Sequence, residues 1–451
     1  MDLFEEEILK PKKKKTINPT TIILIAIIIL FIMLVATIVS IVYLKGTILT
    51  IKLDGVAVKE LEDIIVIEEN NKVYMPIKRM AKYLNYVSHN GDYITLSEDS
   101  TKCYIENDEE IVSFTLNSNV ITKVIDGKTE QIKIEEPIKE VNQELYIVAE
   151  GAQDAFNLKF YYYPDKNEMY IQTLPSLYVA YSKQAINLGY SPIESESFAN
   201  KTAVLDGYLI VMSKDNYYGV VEVGSTIGKT ILETKYDNIE YLRETSDFLV
   251  ESNGKKGIIA KDKKTKIEPI YDSIEMTRNS NGIFYVIERS DLYGLLDANG
   301  KNVIYPEYDQ IGIDISAYEK NGVTSEYVLY NQVIPVKRNN KWALYDISGS
   351  KITDFIYDSF GCVAGKSNVS RTYGVLEVPE YNLIVACQEG KYNLLTLKGK
   401  RIFNSSILDS VYITVSEGKN IYHIIAGGTT KELLSFLKEN EATLGIQQVK
   451  Q

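Results

Sequence analysis

The chain has 451 residues, 45% of them hydrophobic and 24% charged, and a net charge of −12. That length predicts two or three domains, and that composition excludes an intrinsically disordered polypeptide. The acidic balance argues against nucleic acid as a partner, and three cysteines are too few for a disulfide framework or a structural zinc site.

In chain order, residues 1–19 form a tail with lysines at Lys12, Lys13, Lys14 and Lys15. Thr20 to Tyr43 follows without a charge. As a helix it would span roughly 35 Å, enough to cross a bilayer. Residues 20–44 are therefore expected to be a single transmembrane signal anchor. The membrane is then a partner, the basic tail is cytoplasmic and the later domains are extracellular. A cleaved signal peptide is the rival reading. It is disfavoured because Ala36/Ile38, Ser40/Val42 and Gly46/Ile48 are not small at both positions.

Residues 46–174 carry a duplicated strand–helix–strand unit. VYMPIKRMAKYLNYVS from Val73 and LYIVAEGAQDAFNLKF from Leu145 share one design. Ile77, Met80, Ala81 and Leu84 form a helical stripe, matched by Val148, Ala152, Ala155 and Phe156. Pro76 suits a first helical turn, and Asn85 and Asn157 suit helix ends. The run Met75-Pro76-Ile77-Lys78-Arg79-Met80-Ala81-Lys82-Tyr83-Leu84-Asn85 resembles the small domain named after the N-terminal region of copper amine oxidases. The resemblance implies an α+β stalk without a copper site. His89, the only histidine in this region, reads as a turn residue.

Residues 175–201 read as a connector, and residues 202–427 are periodic. Copies begin at Tyr218, Lys256, Tyr293, Trp342 and Tyr392, with a worn sixth from Val415 to Ile425. Most copies set glycine second, as Gly219, Gly257 and Gly294 do. Most close on a Tyr-Asp pair: Tyr236-Asp237, Tyr271-Asp272, Tyr308-Asp309 and Tyr357-Asp358. Between them lie alternating apolar residues and turn residues such as Asp297 to Gly300. Each unit reads as a β-meander that must stack on its neighbours to bury an apolar face. The pattern resembles the WG (KWG) repeat family, most closely from Tyr293 to Ile311. The expected fold is an all-β repeat domain of five to six units, β-propeller-like because closure removes exposed edges, with an open β-array as the alternative. Residues 428–451 read as a helix and tail, with Thr429 and Glu432 as a capping box.

Chemistry is sparse. GSTIGKT, from Gly224 to Thr230, fails as a phosphate loop because Val223 occupies the position that needs glycine. His423 lies in an apolar strand pattern and reads as packed. Cys362 and Cys387 are close enough in sequence to pair, though buried thiols suit them better. No catalytic, cofactor or metal residues are assigned, so no cofactor is expected. Tyr161, Tyr162 and Tyr163 are the candidate ligand contact, since aromatic faces stack on glycans or peptides. The expected function is non-catalytic binding or scaffolding in a bacterial cell envelope, with wall glycan or envelope proteins as partners. The alternatives are an envelope enzyme acting on wall polysaccharide and an accessory subunit of another membrane protein.

Overall fold

The computed structural model describes residues 27–35, 37, 49–62, 65–68, 71–84, 95–96, 101–107, 110–125, 128–193, 198–224, 227–279, 281–314, 327–328, 332–361, 363–364, 377–404, 407–416 and 419–449. Among them no helix is long and apolar enough to cross a membrane. Of the anticipated span 20–44, residues 27–35 and 37 are helical and exposed, and the rest lies outside the described residues with the tail 1–19. The expected single transmembrane helix and single-pass membrane localisation are corrected accordingly.

In the first domain the duplicated strands pair with each other. Glu144–Val148 lies antiparallel to Val73–Pro76, with Tyr146 opposite Pro76, Ile147 opposite Met75 and Val148 opposite Tyr74. Equivalent residues thus exchange partners about a local two-fold at Met75 and Ile147. Helices Ile77–Tyr83 and Ala149–Phe156 leave the two strands directly. They bury the predicted stripes, Ile77, Met80 and Ala81 in one and Ala152, Ala155 and Phe156 in the other. Pro76 stands at the N-cap of the first helix, and Asn157 takes the left-handed conformation that ends the second. Asn85 and His89 lie outside the described residues.

A second sheet joins Leu158–Tyr163, Glu168–Thr173, Thr50–Leu53 and Val56–Ala57. A third, of five strands from Thr95–Leu96 to Lys128–Lys133, is a meander inserted between the two copies. One apolar core spans all three sheets. Within it Lys123 is fully buried. Its ammonium lies 3.0 Å from Glu110 and donates to Asn157 Oδ1 at 2.8 Å and to the Asp154 carbonyl at 3.2 Å. The Asn157 amide donates in turn to both Glu110 oxygens. This satisfied network fastens the end of Ala149–Phe156 to the meander.

From Ser191 the described residues form six consecutive small sheets and one further two-stranded pair, Ile313–Asp314 with Tyr327–Val328. The second (Asn238–Leu242, Asp247–Ser252, Lys255–Ala260, Thr265–Tyr271) and third (Ser273–Asn279, Gly282–Arg289, Leu292–Asp297, Asn302–Tyr308) are complete four-stranded meanders. Each junction between neighbouring sheets has its own core. Ile258, Ile267 and Tyr271 meet Ile274, Tyr285 and Ile287 at one, and Val286, Leu295 and Ile304 meet Ile334, Val336 and Ala343 at the next.

The repeat motif has a legible mechanism. The aromatic residue opening a copy sits opposite the tyrosine closing it: Tyr218 opposite Tyr236, Tyr293 opposite Tyr308, Trp342 opposite Tyr357. The glycine after it lets the fourth strand cross closely. A Cβ on Gly294 would lie 2.7 Å from the Ile304 carbonyl oxygen and from Pro306 N. Where glycine is replaced, the fourth strand comes apart. Ala343 and Asn393 hold that position in the fourth and fifth sheets. There the described residues pair through isolated bridges, Trp342 to Tyr357 and Tyr345 to Lys351 in one, Tyr392 to Leu408 and Leu395 to Arg401 in the other. A second glycine controls stacking: at Gly349, with φ of +85°, a Cβ would lie 1.9 Å from the Val303 carbonyl of the preceding sheet.

The motif aspartates clamp the next sheet. Backbone N–H groups of Asn253, Ser290, Asn339 and Gly390 donate to Asp237, Asp272, Asp309 and Asp358. Lysines Lys255, Lys341 and Lys391 pair with Asp272, Asp358 and Asp409. These pairings hold the Asp272, Asp358 and Asp409 carboxyls below their usual range, the lysine bond being the largest cause in each.

A closed propeller would need the far face of the first repeat sheet (Ser191–Pro192, Tyr208–Met212, Tyr218–Glu222, Lys229–Tyr236) for its last blade. That face is occupied instead. Leu209, Val211 and Val221 pack on Leu177, Tyr181 and Ala185 of the helix Leu174–Asn187. The expectation of a propeller ring is corrected to a row of sheets capped by helices, and residues 175–187 of the expected connector belong to this cap. At the other end the helix Leu433–Leu444 buries Leu433 and Leu437 against the last sheets. Thr429–Glu432 is a strand, and Glu432 caps that helix without a side-chain bond, so the anticipated capping box is not formed.

Candidate functional site

The tyrosine triplet splits as strand alternation requires. Tyr161 and Tyr163 are 38% and 46% exposed. Tyr162 turns inward and packs against the core. Across the strand pair Tyr161 stands opposite Tyr170. Tyr163 meets the Tyr170 ring edge-on at 5.8 Å between centroids. Lys52 donates to the Tyr170 hydroxyl at 3.1 Å, and that hydroxyl donates to Glu168 at 2.9 Å. The result is a fixed aromatic face on the sheet Leu158–Tyr163/Glu168–Thr173. Burial pushes the Tyr161 hydroxyl above its ordinary pKa, and beneath it Tyr181 is pushed up to about 12, again by burial.

The repeat residues singled out from sequence serve the array's construction. Tyr236, Tyr271 and Tyr357 are buried, and Tyr308 is half-buried with its hydroxyl 2.9 Å from that of Tyr345. Asp237, Asp272, Asp309 and Asp358 are committed to the backbone contacts above. Gly224 lies between strands Tyr218–Glu222 and Lys229–Tyr236, a strand–strand setting that does not suit a phosphate loop. His423 stacks on Tyr412 at 4.8 Å, its Nε2 2.7 Å from Thr414 Oγ1. Cys103 and Cys387 are buried free thiols, Cys103 pushed up to about 12 by burial, and Cys362 lies outside the described residues. Among the described residues no group of three or more His, Cys, Asp or Glu side chains is arranged to hold a metal.

One feature escaped the sequence reading: a cleft of about 470 Å³ where the first domain meets the first two repeat sheets. Gln153, Asp154 and Lys159 line it from one side, and Asp206, Arg243 and Lys261 from the other. Arg243 bonds Asp154 across the junction, and its Nε lies 3.5 Å from Asp206. The Tyr241 hydroxyl donates to the same Asp206 carboxylate at 2.9 Å. Burial pushes the Lys159 ammonium below its ordinary pKa, with Asp206 opposing the shift. The residues come from separate segments with no shared motif, so spacing held no signal for them.

A family model described as "WG containing repeat" matches residues 293–321. The chain therefore contains a WG-type repeat there, over the last two strands of the third repeat sheet and the start of the fourth. A search of curated proteins finds no match. Among solved structures, BBS1N in complex with ARL6DN aligns at 10% identity over 50% of this chain and 72% of that one, with a TM-score of 0.18. A eukaryotic initiation factor aligns at 7% identity over 75% and 87%, with a TM-score of 0.29. Hsv2p of Kluyveromyces lactis aligns at 8% identity over 75% and 88%, with a TM-score of 0.23. Likenesses at these TM-scores carry no argument for this chain.

Proposed function

We propose that this chain is a non-catalytic binding and scaffolding protein whose contact face is Tyr161, Tyr163 and Tyr170, and that its ligand is a glycan. The observation that carries the reading is the ordered aromatic face, with Tyr161 and Tyr163 exposed and Tyr170 fixed by Lys52 and Glu168. Large rigid rings offered to solvent at low entropic cost suit stacking on sugar rings. The repeat array is the scaffold: a row of stacked sheets presenting an extended surface. The first domain is the stalk-type domain its sequence resembles, a reading supported by the two-fold pairing of its strand–helix copies.

Co-sedimentation of the full-length chain with purified cell-wall sacculi tests the reading. Saturable binding that is lost on changing Tyr161 and Tyr163 together to alanine is the expected result. No binding, or binding untouched by the double change, would overturn it. Tyr162→Ala is unsuitable because that ring packs against the core.

A further inference from the structure

We propose that the cleft between the first domain and the repeat array binds a small oxyanion, a carboxylate or a phosphate, held by Lys159 and Lys261. The argument begins with what is already taken. The carboxylates of Asp154 and Asp206 are engaged by Arg243, and Asp206 also accepts from Tyr241. Gln153 Oε1 accepts from the Phe160 N–H, which leaves its amide N–H groups to donate. Among the described residues Lys159 and Lys261 make no hydrogen bond or ion pair, and Lys159 has only the attraction of the shared Asp206. The cleft therefore still offers the Gln153 amide N–H groups and the Lys159 and Lys261 ammonium groups as donors.

The charge balance points the same way. Two carboxylates face one guanidinium and two ammonium groups, an excess of one positive charge. Lys159 is half-buried, and an ammonium withdrawn from water without a full partner carries a desolvation cost that a bound anion would remove. The cleft volume falls within the roughly 300–1,000 Å³ of small-molecule sites. Because its two walls come from different domains, an occupant would also bridge them beside the Arg243–Asp154 contact.

Calorimetric titration of the full-length chain with inorganic phosphate, and separately with acetate, at ionic strength held constant with chloride, tests this. The expected result is saturable binding of at least one anion. The tighter one distinguishes a phosphate source from a carboxylate source. Lys159→Met should weaken it about tenfold or more, and Lys159→Arg should largely restore it. Lys261→Met, at an exposed position, provides the same test should Lys159→Met fail to fold. Absence of saturable binding by both anions, or equal affinity in the lysine-to-methionine variants, would overturn the proposal.

Discussion

The first domain and the repeat array solve the same problem in opposite ways. The first domain folds its three sheets around one core and fixes a helix end with a wholly buried ion pair. The array divides its apolar surface into separate cores, one per junction, and ties its sheets with half-exposed lysine–aspartate pairs. A defect in the first should spread through the domain, whereas a defect in the second should stay near one junction. The aromatic face belongs to the single-core domain, where ring positions are fixed by contacts from neighbouring strands.

The sharpest break in this comparison is Lys123→Met. It leaves Glu110 buried without its cation and should cost about 3–5 kcal/mol, read as a lower denaturation midpoint for the first domain. A loss below about 1 kcal/mol would mean that the buried network is not what fastens the helix. Next comes Gly294→Ala, which forces a Cβ against the Ile304 carbonyl and should cost about 1–3 kcal/mol. Amide exchange should rise in Asn302–Tyr308 and stay unchanged in the first domain, and uniform change would contradict independent junctions.

The smallest effect is expected from Lys341→Met, under about 1 kcal/mol, since the pair with Asp358 is open to solvent. Its signature is acid dependence. The Asp358 carboxyl is held low in the folded chain, so its contribution is present above the ordinary value of 3.8 and fades as pH falls through the lowered one. Thermal midpoints from pH 6 to pH 3 should fall less steeply in the variant, and identical slopes would remove Lys341 as the cause.

Much of this was legible in sequence, for reasons visible in the residues. The stripes Ile77/Met80/Ala81 and Ala152/Ala155/Phe156 are buried as their spacing demands, and the glycine and Tyr-Asp positions mark real strand crossings and clamps. The five-stranded meander was not legible, because its strands are short and lie between the two copies without a repeated motif. The helix Leu174–Asn187 was missed although Leu177, Tyr181 and Ala185 fall at helical spacing, and with it went the distinction between ring and row. Asp154 and Lys159 of the cleft lie in one stretch of the first domain, while Asp206, Arg243 and Lys261 come from three distant segments, so only the folded chain brings the two sides together.

The central claim is that the first domain recognises and the array supports. Sacculus co-sedimentation of the unaltered chain, the Tyr161→Ala/Tyr163→Ala variant and a Tyr305→Ala variant tests it directly, because Tyr305 is an array tyrosine that is 64% exposed. The account predicts that the first variant loses binding and the second keeps it. Retained binding in the first with loss in the second would place recognition on the array and contradict the account.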